Sequence, residues 1–198
     1  MENPSNKQSN HVIIARFFRE LVKYRNAYDQ HHGSQTAYMA AELAAAINLP
    51  LEERGLLKFA AELHDLGKFA IPEILINKPS RLTIAELSTI HLHAKYGYRI
   101  AKAVKLGPLI EDVILHHHEN QDGSGYPDGL IGDKISIHAR VIHLADVFDA
   151  LTSERPYRGP YSPREAIAIV QNEEHKFDQQ LLLLLRRKVT NWTSTLSR

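Results

Sequence analysis

Residues 56–68 read L-L-K-F-A-A-E-L-H-D-L-G-K. Leu56, Leu57, Ala60, Ala61 and Leu63 recur at helical spacing and lead into His64 and Asp65. Gly67 is expected to stop that helix, because glycine is the residue most often found just past a helix end. The pattern therefore places an imidazole beside a carboxylate where a helix finishes. Both groups are ligands for divalent metal ions.

Outward from this stretch the same period repeats. Val12, Ile13, Phe17, Phe18, Leu21 and Val22 share helical spacing, as do Ala37, Ala40, Ala41, Ala44 and Ile47. Thr83 with Glu86 has capping-box spacing ahead of a segment that carries His93. Leu109, Ile110, Val113 and Ile114 precede His116, His117 and His118, and Val141, Ile142, Leu144, Ala145 and Phe148 surround Asp146. Ser162, Pro163 and Glu165 combine a cap, a first-turn proline and a return carboxylate. A last helix is expected from Asp178 through Leu185. Strand signals are nearly absent, so the expected fold is a single all-α helical bundle. The exception is Asn120 to Lys134, whose Asp-Gly-Ser-Gly-Tyr-Pro-Asp-Gly run forces turns. A loop of that length in a compact domain is usually functional or disordered.

Composition removes several function classes. The chain has 198 residues and a formal net charge of +1, so nothing marks it as a DNA binder. It has no cysteine, which excludes disulfides and thiolate metal sites. No apolar run is long enough to insert in a membrane, and Met1 to Asn10 is polar, so the cytoplasm is the expected compartment. Histidine is the outlier at 12 residues. His32, His64, Asp65, His93, His117, His118 and Asp146 form an ordered set of imidazoles and carboxylates. That set is large enough to hold two metal ions, and such a pair is suited to phosphate-ester hydrolysis.

The motifs together resemble the HD-GYP domain, a branch of the HD phosphohydrolase superfamily. His64-Asp65 with Gly67 and Lys68 is similar to its H-D-x-G-K. Ile71-Pro72 and Lys78-Pro79 follow, and His93 with Gly97 is similar to H-x-x-x-G. His117-His118-Glu119 followed by Asp122 to Pro127 resembles H-H-E-x-x-D-G-x-G-Y-P. Asp146 to Thr152 and Arg155 to Arg158 close the pattern. The resemblance covers roughly residues 25 to 185. Residues 25–198 are therefore read as the domain and 1–24 as a helical extension or linker.

The resemblance implies hydrolysis of cyclic di-GMP to pGpG or GMP by a metal-bridging hydroxide. It implies Asp65 as the bridge between two divalent ions. His32, His64 and Asp146 would complete one shell, and His93, His117 and His118 the other. Iron or manganese suits such nitrogen and oxygen ligands better than zinc. Neighbouring histidines compete in register. Spacing favours His32 over His31, Gly97 favours His93 over His91, and Glu119 favours His117 and His118 over His116. Asp149 and Glu119 are expected to support ligands rather than bind metal. Lys68, Arg155 and Arg158 are the candidates for substrate phosphate. Tyr126 is read either as a stacking or hydrogen-bonding partner of guanine or as a loop anchor under Pro127. Tyr28 stands where many members carry a glutamate, with Asp29 beside it, so two metals are expected rather than three. Alternatives are a weakly active cyclic di-GMP sensor, a module docking a GGDEF synthase through the Gly125-Tyr126-Pro127 loop, and a hydrolase for another cyclic nucleotide.

Overall fold

Apolar residues at helical spacing become helices in the computed structural model. It describes residues 13, 14, 17, 20, 27–154 and 158–195, with backbone alone for 27–31 and 192–195. The helices are α1 (Ala27–Ala46), α2 (Leu51–Leu63), α3 (Glu73–Ile76), α4 (Ile84–Ala103), α5 (Pro108–His116), α6 (Ile137–Thr152), α7 (Pro163–Asn172) and α8 (Gln179–Thr195). Short 3₁₀ turns occupy Leu66–Ala70, Gly132–Lys134 and Glu174–Lys176. Among the described residues there is no strand, and the all-α class is the one the chain adopts. Residues 13, 14, 17 and 20 are helical. Val12, Phe18, Leu21 and Val22 lie outside the described residues, as does the boundary expected at residue 24.

Both expected capping boxes form. The Thr83 hydroxyl accepts the Glu86 N–H while the Glu86 carboxylate accepts the Thr83 N–H, and Ser162 and Glu165 repeat the exchange. Each such cap is worth about 1 kcal/mol. Asp178 opens α8 by accepting the N–H groups of Gln180 and Leu181. That helix runs further than Leu185, to Thr195.

α6 is the central element. Ala139, Val141, Ile142, Leu144, Ala145 and Phe148 are buried on it, and so are His143, Asp146 and Asp149. A helix buried nearly all round must be enclosed by others, and α6 packs against α1, α2, α5, α7 and α8. Ala40, Ala44, Ala60 and Ala61 are fully buried, and their small side chains let α1 and α2 approach closely. Leu43, Leu57, Ile110, Ile114, Leu181 and Leu185 fill the rest of the core. No helix among the described residues is long and apolar enough to cross a membrane.

Gly67 does not end α2. That helix stops at Leu63, and Gly67 lies inside the 3₁₀ turn that follows. The reason for glycine is close approach. A β-carbon here would stand 1.8 Å from the His93 carbonyl oxygen and 2.4 Å from the Gly97 nitrogen. On the facing helix, a β-carbon at Gly97 would meet the Ile114 side chain at 2.7 Å. Two glycines thus let the Asp65 turn lie directly on α4 beside His93.

Gly67→Ala should destabilise the fold by about 1–3 kcal/mol, since backbone rather than a movable side chain blocks the new methyl group. Gly55→Ala is the matched contrast. Its position lies within α2, nothing lies within 4 Å of the added carbon, and alanine should stabilise by about 0.4–1 kcal/mol. Urea denaturation of both variants measures the two shifts. Equal effects at the two sites would refute the packing role of Gly67.

Candidate metal centre

Helix ends deliver the histidine pairs. His64 is the C-terminal cap of α2 and His117 that of α5, both with right-handed helical backbone angles. The last carbonyls of a helix lack helical partners, and these rings use them. His64 Nδ1 donates to the Ala61 carbonyl at 2.7 Å, and His117 Nδ1 to the Ile114 carbonyl at 2.9 Å. His93, inside α4, repeats the arrangement with the Ile90 carbonyl at 2.8 Å. His32 on α1 donates from Nδ1 to Asp149 at 2.5 Å. Neither a carbonyl nor an ionised carboxylate can donate, so each of these Nδ1 atoms carries a proton; when a ring is neutral, its Nε2 is left with the lone pair that a metal ion would use.

Those Nε2 atoms converge. His32 Nε2 is 2.9 Å from Asp146 Oδ1, and His64 Nε2 is 3.3 Å from Asp65 Oδ2. His93 Nε2 is 3.4 Å from Asp65 Oδ1 and 3.3 Å from His117 Nε2. Two groups of donor atoms result, each lying within 4.8 Å of one another: His32, His64 and Asp65, and Asp65, His93, His117 and His118. Asp65 belongs to both, with one oxygen toward each. Asp146 adjoins the first group, 3.8 Å from His64 Nε2. The structure therefore brings together every residue named above as a candidate ligand, and this cluster can hold metal.

The donor atoms fit cations on their own terms. His64 Nε2 and Asp65 Oδ1 are buried without a hydrogen-bond partner. The facing Nε2 atoms of His93 and His117 put two lone pairs at a distance where nothing but a positive charge is favourable between them.

Charge is divided across the cluster. Burial pushes His93, His117 and His118 below the usual imidazole range, which keeps them neutral. Burial opposes charge on His32 as well, yet hydrogen bonds to Asp146 and Asp149 raise it to about 10. Burial would raise Asp65, but Lys68, His64 and His93 hold it well below the carboxylate range. Asp146 is likewise held low against its burial, chiefly by His32.

The remaining candidates divide. Lys68 Nζ lies 2.6 Å from Asp65 Oδ2, at the centre. Asp149 orients His32, as expected of a supporting carboxylate. Glu119 was expected to support a ligand, but it grips the loop: its oxygens accept the N–H groups of Asp128 at 2.7 Å and Leu130 at 2.9 Å. Arg158 is engaged with backbone carbonyls. Its guanidinium donates to the carbonyls of Ala150, Leu151 and Gly159 and stacks on Tyr161 at 4.1 Å. Two of those carbonyls, of Ala150 and Leu151, belong to the last turn of α6, where helix carbonyls lack helical partners. Arg155 lies outside the described residues, and so do the side chains of Tyr28 and Asp29.

Tyr126 sits at the wall of the site. Its N–H donates to the His118 carbonyl at 3.1 Å. Its ring stacks on His91 at 3.7 Å and tilts against His118 at 4.7 Å. A β-carbon on Gly125 would stand 2.3 Å from the Asn120 nitrogen, so the loop turns tightly there. Histidine register alone had set His91 aside. His143 was also unassigned; its Nδ1 donates to the His117 carbonyl at 3.0 Å. The available signal was its position one turn before Asp146 on α6.

Comparison with known proteins agrees with this geometry. A family model described as an HD domain matches residues 16–181. A cyclic di-GMP phosphodiesterase response regulator of Xanthomonas campestris is 36% identical over 84% of this chain and 45% of its own length. A 3'3'-cGAMP-specific phosphodiesterase of Vibrio cholerae is 34% identical over 82% of this chain and 35% of its own length. The chain thus spans less than half the length of these relatives. An HD-GYP-type protein of Bdellovibrio bacteriovorus shares the fold, with a TM-score of 0.67 at 20% identity, covering 82% of this chain and 52% of that one. With its His64-Asp65 pair, histidine cluster and Gly125-Tyr126-Pro127 loop in place, this chain belongs to the HD domain family, in its HD-GYP branch.

Proposed function

We propose that this chain is a metal-dependent phosphodiesterase for cyclic dinucleotides, with cyclic di-GMP as substrate and pGpG or GMP as product. The observation that carries the reading is Asp65, one oxygen in each of two groups of inward-facing donors. His32, His64, Asp65 and Asp146 would hold one ion, and Asp65, His93, His117 and His118 the other. The donor set is nitrogen and oxygen with no sulfur, which suits iron or manganese and rules out a thiolate zinc site. When bound, such a pair lowers the pKa of a water and neutralises the charge that develops on a phosphoryl group.

The chain's own groups supply the rest. Asp149 holds the His32 ring in one tautomer. Lys68 carries a positive charge 2.6 Å from the shared carboxylate, where a phosphate seated at the centre would meet it. With Arg158 turned onto the α6 carbonyls, Lys68 is the described cation best placed for that role. The names of the relatives support cyclic di-GMP, with the mixed guanine-adenine dinucleotide as the competing substrate. A GGDEF synthase would dock through the Gly125-Tyr126-Pro127 loop, whose neighbours Ser124, Asp128 and Gly129 are exposed.

Metal analysis with product chromatography on cyclic di-GMP tests the reading. Asp65→Ala should lose bound metal and turnover together while remaining helical. A variant that keeps two metals per chain and full activity would refute the shared carboxylate. Lys68→Ala should keep its metal and lose about 100- to 1000-fold in rate, as expected for one oriented donor at a transition state. Parallel loss of metal would reassign Lys68.

Asp149→Asn tests the supporting carboxylate separately. Metal affinity should fall about 10- to 100-fold with the fold intact, the usual effect of removing a group that orients a ligand. Titration of metal-free protein with manganese measures it, and unchanged affinity would contradict the role.

A further inference from the structure

Around Tyr126, His118 and Glu119 hold the backbone of the loop. His118 accepts the Tyr126 N–H, and Glu119 accepts those of Asp128 and Leu130. Neither contact fixes the plane of the tyrosine ring. That plane is set by packing, and on one side the packing is His91: centroids 3.7 Å apart, planes 9° from parallel. His118 lies against the ring at 4.7 Å and His93 meets it edge-on at 6.2 Å. His91 and His93 share α4, but His93 is buried while His91 is only half-buried. The same helix thus presents one histidine to the donor cluster and another to the ring that walls it.

We propose that His91 is a positioning residue, a clamp whose stack on Tyr126 holds the loop as the wall of the metal centre. The proposal rests on the phosphodiesterase reading above. Its consequence is selective. A large cyclic dinucleotide must fit between this wall and the donor cluster, whereas a small diester needs the cluster alone. Loosening the ring should therefore penalise the dinucleotide and spare the small substrate. The stack also has a cost for the earlier expectation that Tyr126 stacks on guanine, because His91 and His118 already occupy aromatic surface that a base would use.

The test compares His91→Ala with His91→Phe, which keeps an aromatic ring for the stack. In manganese-loaded protein, His91→Ala should lower kcat/KM for cyclic di-GMP about 2- to 10-fold, the worth of an aromatic pair. Metal content and turnover of bis(p-nitrophenyl) phosphate should stay at the unmodified level. His91→Phe should recover the loss. Independently of turnover, hydrogen exchange of the Tyr126 amide in metal-free protein should quicken by a similar factor in His91→Ala and recover in His91→Phe. Unchanged exchange in His91→Ala overturns the clamp. So does faster exchange with no fall in dinucleotide efficiency, or a rise in efficiency, which would mean that a base takes the place of His91. Unmodified protein that cleaves neither substrate would strike the phosphodiesterase reading instead and leave the exchange result to decide the clamp.

Discussion

The Nδ1 atoms of His32, His64, His93 and His117 are each tied to a carbonyl or a carboxylate, and this one constraint organises the site. A ring whose Nδ1 proton is spent on its own helix has a lone pair left on Nε2, pointing the other way. Three of these rings use a carbonyl three residues earlier, so the orientation is local and survives without any distant partner. The fourth, His32, comes from the start of the described chain and needs Asp149, 117 residues away. Inward-facing lone pairs would repel one another in a dry interior. Positive charge would relieve that repulsion, and Asp65, with one oxygen toward each group, is the carboxylate placed to be shared between two such charges.

Everything else places those rings. α6 brings Asp146 and Asp149 one turn apart into the middle of the bundle. The glycine contact between the Asp65 turn and α4 brings Asp65 within 3.4 Å of His93 Nε2. Glu119, next to the candidate ligands His117 and His118 at the end of α5, holds the Gly-rich loop at the backbone of Asp128 and Leu130. The same short segment thus carries candidate ligands and anchors the wall beside them.

Much of this was readable in the sequence, for identifiable reasons. Thr83 with Glu86 and Ser162 with Glu165 are local signals, and local signals are complete in a window of four residues. The inward histidines were legible because the helical period and the motif spacing agree. Gly67 was misread as a helix stop, because a close approach to His93 and Gly97 depends on residues far along the chain. For Arg158, read as a candidate for substrate phosphate, the sequence shows a cation near Asp146 but not the carbonyls at the end of α6 to which it donates. Glu119 and His91 act on the loop through contacts that no spacing announces.

The central claim is that Asp65 joins two metal ions in one buried centre. Anomalous diffraction from crystals of protein loaded anaerobically with iron or manganese tests it most directly. The expected map has two peaks about 3.5–4 Å apart, with an Asp65 oxygen facing each and His32, His64 and Asp146 around one, His93, His117 and His118 around the other. A third full peak beside Asp29, or a single peak that Asp65 does not touch, would contradict it.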